Sequence, residues 1–333
     1  MTITYPPKRR AARLVIAALS VLGVGASVSA APATATANAT GETRPFEAEN
    51  GVVEIPVNPQ RIVTIGNTTV PFIDLGGVPI GVTEIRGSQL SLIPAEQQAI
   101  YTAATNLGVS ADEVDMEKLA SLEPDLILAQ FPGSEFEQLE AQLQAIAPTL
   151  FWGLGAEWKE FAGALADATN LTDGLAQQEA EFADKIAGIQ TTHADLIANT
   201  AFVNVDRWAS SDPGTFSISD FGCVEIAQDD IGMNFPRAAD GEDPLGWTSL
   251  PFEQIASLDD YDVITYPVDA EGNPTAEFAP VVESSIWQAL ASVQEGRALG
   301  VFCPGNNSYR PVLQYLDSLD AALATLSATP SEG

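Results

Sequence analysis

One short pattern, met twice, constrains this chain more than any other feature. Glu117–Ile127 reads E-K-L-A-S-L-E-P-D-L-I, and Glu253–Ile264 reads E-Q-I-A-S-L-D-D-Y-D-V-I, a similar string with one added residue. Each copy opens on a short amphipathic run (Leu119 and Leu122; Ile255 and Leu258), passes an acidic residue and ends on an apolar, β-prone run. That is a helix handing over to a buried strand, Leu126–Ala129 in one copy and Val263–Tyr266 in the other. Two distant copies predict two similar α/β lobes; a tandem solenoid needs a shorter period and more copies.

The residues around the copies keep the same rhythm. Val52–Pro56 alternates like an edge strand or hairpin arm, and Arg61–Ile65 is the first buried strand. Gly66-Asn67-Thr68-Thr69 turns into a helix over Val70–Leu75, and Pro79–Val82 is the next strand. The alternation runs to Thr149–Trp152, which predicts a mostly parallel sheet covered on both faces. It breaks at Leu171–Asn199, where Leu175, Phe182, Ile186, Ile189, His193 and Leu196 form one apolar stripe. A helix of about 25 residues reaches about 40 Å, enough to cross from one lobe to the next. Alternation then resumes at Ala201–Val205 and ends on Leu299–Phe302, with Tyr309–Leu326 as an amphipathic closing helix. Gly241–Pro251, carrying Pro244 and Gly246, reads as a mobile loop. The division is therefore an export signal over 1–30, a flexible leader over 31–45, an N-terminal lobe over 46–170, a connecting helix over 171–199 and a C-terminal lobe over 200–333.

Charge narrows the partners. Of 14 Lys+Arg, Lys8, Arg9, Arg10 and Arg13 crowd the N-terminus, so the remainder sets 10 basic residues against 45 acidic ones. Such a surface repels nucleic acid and anionic headgroups. The basic cluster followed by the apolar run Leu14–Val28, with small residues at Val28-Ser29-Ala30 or Ala33-Thr34-Ala35, reads as an export signal. A run of that length is short for a membrane span. No cysteine lies near the cleavage region to accept a lipid, so the protein is expected in the periplasm, in the cell envelope or outside the cell. Cys223 and Cys303 are the two cysteines, and in an exported protein they read either as one disulfide or as two buried thiols.

Catalysis is hard to build from this inventory. The single histidine, His193, sits within the apolar stripe and reads as a packed, hydrogen-bonded core residue. There is no G-x-S-x-G elbow, P-loop or H-E-x-x-H, and Gly153-Leu154-Gly155 lacks the third glycine of a dinucleotide fingerprint. A histidine-rich metal site is excluded by count, and no D-x-D-x-D-G calcium loop occurs. Polar and aromatic residues instead gather after the strands: Asn67, Thr68, Arg86, Gln130, Phe131 and Trp152 in the first half, and Arg207, Trp208, Tyr266, Asn306, Tyr309 and Arg310 in the second. Ligands of α/β sheets bind outside the carboxyl ends of the strands, so these side chains form a candidate cleft between the lobes. Arginine forks grip anionic oxygens and aromatic rings stack on bulky ligands.

These residues also carry a family resemblance. Val53-Glu54-Ile55-Pro56 with Pro59-Gln60-Arg61-Ile62-Val63, Leu75–Val82 (L-G-G-V-P-I-G-V), Glu117–Ile127, Ile146-Ala147-Pro148-Thr149 and Trp287–Ala298 resemble, in order and spacing, the iron-siderophore substrate-binding proteins of ABC importers. The resemblance covers roughly residues 50–325. It implies two Rossmann-like lobes joined by one long helix, a ligand held between them with little closure, and delivery of that ligand to a membrane permease. The corresponding permease-docking position of the first helix is Val70 here, not an acid.

The expected function is thus a non-enzymatic, exported, monomeric solute-binding protein. It holds iron(III) only as the chelate it carries and has no intrinsic cofactor. Haem or a corrinoid, with Tyr266 as an iron ligand for haem, is the neighbouring alternative, and an extracellular carboxylate-based enzyme is a more distant one. Arg86, Arg207 and Arg310 favour an anionic chelate, whereas the overall charge favours a cationic hydroxamate. Local contacts are weighted over the field, because contacts set affinity and field sets encounter.

Overall fold

A computed structural model of the chain describes residues 41–85, 93–111, 113–236, 247–305 and 308–327. The export signal, most of the leader, Arg86, Asn306 and the segment 237–246 lie outside the described residues.

The chain enters as an antiparallel hairpin, β1 (Thr43–Ala48) and β2 (Gly51–Pro56), so the leader read over 31–45 gives way to strand at Thr43. The hairpin turn is pinned to the first sheet. Asn50 donates Nδ2 to the Thr149 carbonyl at 3.0 Å and accepts the Phe151 N–H at 3.1 Å, while Glu49 Oε2 accepts the Gly153 N–H. An asparagine amide carries both donor and acceptor, so it imitates the missing neighbour of an edge strand. Replacing Asn50 with alanine is expected to cost about 1–2 kcal/mol, because both strand groups lose their partner. Chemical denaturation should show a lower midpoint at unchanged slope, and an unmoved midpoint would refute the role.

The first sheet contains β3 (Ile62–Gly66), β4 (Gly81–Val82), β5 (Thr105–Asn106), β6 (Leu126–Gln130) and β7 (Thr149–Trp152), in the order β5-β4-β3-β6-β7, all parallel. Its helices are α1 (Thr69–Asp74), α2 (Ala95–Ala103), α3 (Met116–Ser121), α4 (Gly133–Gln144) and α5 (Trp158–Thr169). β6 is buried at all five positions, as a central parallel strand covered on both faces must be. Gly66, at φ 69°, ends β3 so close to β6 that an added Cβ would stand 2.3 Å from the Gln130 carbonyl oxygen. Only glycine fits that approach.

The connecting segment is not one helix. It is α6 (Thr172–Thr192) and α7 (Ala194–Asn199), separated at His193, whose backbone leaves the helical region at φ −113°, ψ 23°. His193 is 2% exposed, and its Nε2 lies 2.8 Å from Asp320 Oδ1 on the chain's last helix, α12 (Tyr309–Ser327). Phe182, Ile186 and Ile189 pack into the C-terminal core, while Leu175 touches the cores of both lobes.

The second sheet contains β8 (Phe202–Asp206), β9 (Thr215–Ser219), β10 (Trp247–Pro251), β11 (Val263–Val268) and β12 (Ala298–Phe302), in the order β10-β9-β8-β11-β12. β8, β11 and β12 are parallel, and β9 runs antiparallel to both β8 and β10. The sheet is thus mixed, and the last part of the segment read as a mobile loop, Trp247–Pro251, is its edge strand. Around it lie α8 (Cys223–Ile226), α9 (Ala279–Val282), α10 (Ser285–Gln288), α11 (Ala291–Gln294) and α12, whose stripe Val312, Leu316, Leu319 and Leu323 is buried. Cys223 at the start of α8 is disulfide-bonded to Cys303, just past β12.

The repeated pattern has a visible cause. In the first copy Asp125 accepts the N–H groups of Gln60 and Arg61 at 2.8 and 2.9 Å, and its own N–H goes to the Arg61 carbonyl. In the second copy Asp262 accepts the Ala201 N–H at 2.8 Å and donates its own to the Ala201 carbonyl. Each copy's aspartate therefore fixes the start of the neighbouring strand, β3 or β8. The copies differ upstream: the first is the α-helix α3 capped by Asp115, while the second winds as 3-10 turns over Phe252–Asp260 behind Pro251.

Candidate functional site

The segments that leave the strands fix where the two lobes meet. After β7 the chain turns at Gly153 and starts α5 on Trp158; after β12 it starts α12 on Tyr309. The rings of Trp158 and Tyr309 meet edge to face at 4.8 Å, and Phe182 of α6 closes the triangle at 6.0 and 5.8 Å. The carboxyl ends of β7 and β12 thus converge on one junction between the lobes. Lys159 binds Asp230 across it at 2.6 Å and lies over the Trp158 and Phe182 rings.

A second inter-lobe contact centres on Asp74 at the end of α1. Its carboxylate, nearly inaccessible, accepts from Gln97 of α2 and from Ser308 of the other lobe, and Arg310 lies 3.9 Å away. Its backbone carbonyl accepts from Gln178 of the connecting helix. Burial pushes the Asp74 carboxyl above its usual range, with the Ser308, Gln97 and Arg310 contacts pulling it part of the way back. Three segments therefore meet on one residue, two at its side chain and one at its carbonyl, and fixed contacts of this kind oppose hinge motion between the lobes.

Several residues expected in the cleft are core residues. Thr68 is fully buried and donates its hydroxyl to the Ile65 and Leu128 carbonyls, which seals the turn after β3. Phe131 packs against Phe136 and Phe151, and Trp152 packs between Phe46 and Phe161. Tyr309 belongs to the junction, where burial and then the charges of Glu179, Glu157 and Asp230 raise its phenol to about 12. Gln130 is 6% exposed and reaches the Gly153 carbonyl at 3.4 Å.

The arginines also have partners. Arg207 donates Nε to the Thr215 carbonyl at 3.1 Å and Nη1 to the Glu277 carbonyl at 3.0 Å, so its fork braces the start of β9 against the loop after β11. Arg310 faces Asp74. Arg86 is outside the described residues. Tyr266 is half-buried, stacked on Phe278 at 5.7 Å and edge-on to Trp287 at 5.6 Å. Burial raises its phenol, which disfavours the phenolate that an iron ligand must supply.

Among the described residues at the carboxyl edges, Asn67 stays exposed on one side, and Arg310 and an aromatic group stay accessible on the other. Trp208, past β8, stacks on Phe221 at 5.7 Å and meets Trp247 of β10 edge-on at 5.6 Å; Phe221 is 40% exposed. Asp206, the last residue of β8, has its carboxyl raised to about 6, first by burial and further by the charge of Glu277, while the Arg207 N–H acts the other way. Phe221, Trp247 and Asp206 did not stand out in the sequence: the rings come from separate segments, and the acid is one of 45.

A shallow recess of about 530 Å3 opens elsewhere, at the amino ends of the C-terminal strands, lined in part by Thr200, Asp262, Glu295 and Arg297. Its cation is committed, since Arg297 binds Glu295 and the Asp262 carbonyl. Among the described residues no group of His, Cys, Asp and Glu is arranged to hold a metal ion.

The family description "periplasmic binding protein" matches residues 95–299. The iron(3+)-hydroxamate-binding protein FhuD of Bacillus subtilis (strain 168) is 26% identical over 298 residues, covering 86% of each chain. Among solved structures, the siderophore periplasmic binding protein from the fuscachelin gene cluster of Thermobifida fusca superposes with a TM-score of 0.66 at 26% identity, over 81% of this chain and 98% of that one. Staphylococcus aureus SirA, solved with staphyloferrin B, superposes at 0.63 over 85% of this chain and 99% of its own; at 20% identity that likeness speaks to the fold alone.

Proposed function

Because this chain belongs to the periplasmic binding protein family, we propose that it captures a ferric siderophore outside the cytoplasm and delivers it to the permease of an ABC importer. The observation that carries this reading is the convergence of the two sheets' carboxyl ends on one junction cross-linked by Trp158–Tyr309, Lys159–Asp230 and Asp74–Ser308. A preformed cleft with fixed walls suits a bulky, rigid chelate, because little of the binding free energy goes into ordering the protein. The relatives named for iron hydroxamate and for siderophores support the cargo class.

In this reading the ligand rests against Trp208, Phe221 and Trp247 on the C-terminal side. Asn67 supplies hydrogen bonds from the other side, with Tyr266 at the rim. Arg207 and Arg310 act as braces of the walls. The protein performs no catalysis, works as a monomer, and takes iron only inside its chelate. No helix among the described residues is long and apolar enough to cross a membrane. The protein is placed at the cell envelope or beyond by the export signal read from its sequence.

Tryptophan fluorescence should quench on titration with a ferric siderophore, with a Kd below about 1 μM, and the unfolding midpoint should rise with ligand concentration. The panel pairs hydroxamate, catecholate and carboxylate ferric chelates with haem and cobalamin. Haem or cobalamin alone giving the response would replace the cargo, and silence across the panel would refute the reading.

A further inference from the structure

We propose that Asp206 makes this cleft select a positively charged ferric chelate over a neutral or negatively charged one, a specificity that rests on the reading of the cleft as a chelate site. Asp206 closes β8, a strand in the middle of the C-terminal sheet, at the carboxyl edge. One carboxyl oxygen accepts the Arg207 N–H at 2.7 Å, and among the described residues the other has no hydrogen-bond donor and no ion-pair partner. The neighbouring cation does not neutralise it, because the Arg207 guanidinium is turned to the Thr215 and Glu277 carbonyls. Across the ladder on β9 stands the uncharged Ser217; the loop after β11 brings another carboxylate, Glu277, and β11 itself brings Tyr266, whose phenol burial keeps neutral.

A partly desolvated carboxylate without a counter-ion carries a standing cost that an arriving cation removes and an arriving anion increases. Two residues on, Trp208 begins the Trp208–Phe221–Trp247 group, and the faces of such rings attract cations and repel anions. The net charge of −31 adds a field of the same sign. Of the three arginines that a sequence reading would set against an anionic chelate, Arg207 is held by carbonyls, Arg310 stands 3.9 Å from the Asp74 carboxylate, and Arg86 lies outside the described residues.

The test uses one linear ferric trihydroxamate in two forms, with its terminal ammonium free or acetylated, so that iron coordination is identical and only the charge differs. Titration of the wild-type protein at pH 7.5 should show the ammonium form binding about tenfold or more tightly, the size of one charge-assisted hydrogen bond. In Asp206→Asn the two forms should come within about twofold of each other. In the wild type the preference should fade as pH drops through about 6, because the protonated carboxyl no longer pairs with the ammonium. Equal affinity of the wild type for both forms, or a preference retained in Asp206→Asn, overturns the assignment; the wild-type comparison and its pH profile stand even where the variant folds poorly. Binding of a ferric tricatecholate in preference to both hydroxamates overturns the charge selection and leaves the siderophore reading standing. Failure to bind any ferric chelate overturns both.

Discussion

Removing the bridge between Cys223 and Cys303, by serine at both positions, is expected to lower stability by about 4 kcal/mol. The bridge closes a loop with a sequence separation of 80 residues, and the chain-entropy cost it removes from the unfolded state is about 4–5 kcal/mol at that length. For a protein of this size that corresponds to a fall of roughly 7 °C in the unfolding midpoint. The effect should reach the lobe junction as well. Cys303 anchors the segment that runs from β12 to Ser308 and Tyr309, which hold Asp74 and Trp158 of the other lobe. Thermal unfolding with and without a phosphine reductant separates the bond from the substitution. The wild type should drop on reduction and the double serine variant should not move. An unchanged midpoint for the reduced wild type would show that the bond carries no stability.

Trp287→Ala is expected to cost about 3–5 kcal/mol, the range for emptying a large aromatic from a closed core. The indole is 2% exposed on α10 and meets both Tyr266 and Phe278 edge to face at 5.6 Å, while those two rings stack on each other at 5.7 Å. Its backbone N–H is held by the Ser284 hydroxyl at 3.2 Å, so the helix itself starts in register under β11. Because Tyr266 leans on this ring at the exit of β11, ligand affinity should fall together with stability. Trp287→Phe, which refills part of the volume, should recover a substantial share of both. Loss of less than about 1 kcal/mol on alanine substitution, measured by denaturant unfolding, would mean that the pocket collapses around the gap or that the aromatic box is not a closed unit.

The contrast between legible and illegible parts follows range. Strand and helix alternation, the N-terminal strand around Val52–Pro56 and the closing helix were readable because their hydrophobic periods are local, whereas the first hairpin arm from Thr43 was hidden in the leader. The break at His193 was not, since the apolar stripe passes through it without interruption while the imidazole reaches Asp320 on a distant helix. Nor was the fate of residues at strand ends. Thr68, Phe131 and Trp152 follow or end strands buried on both faces, so composition alone does not say whether they turn inward or towards the cleft. Here backbone carbonyls capture the threonine, and two aromatic clusters capture the rings. The roles of the arginines were hidden for a related reason. Their acceptors are supplied by tertiary structure, Glu277 by a loop after β11 and Asp74 by the other lobe.

By itself the sequence determined that two αβ units would be built, since the repeated string carries its own helix period, its own strand and the aspartate that pins the next strand. Asp125 and Asp262 act on strand starts in their own lobe, so the pattern works the same way twice. Only the tertiary structure decided which polar groups remain free between the lobes. A charge is available to a ligand only when no closer partner takes it, and those partners come from segments far away in the chain. By that criterion the fork of Arg207 is occupied, and among the described residues one oxygen of Asp206 has no donor.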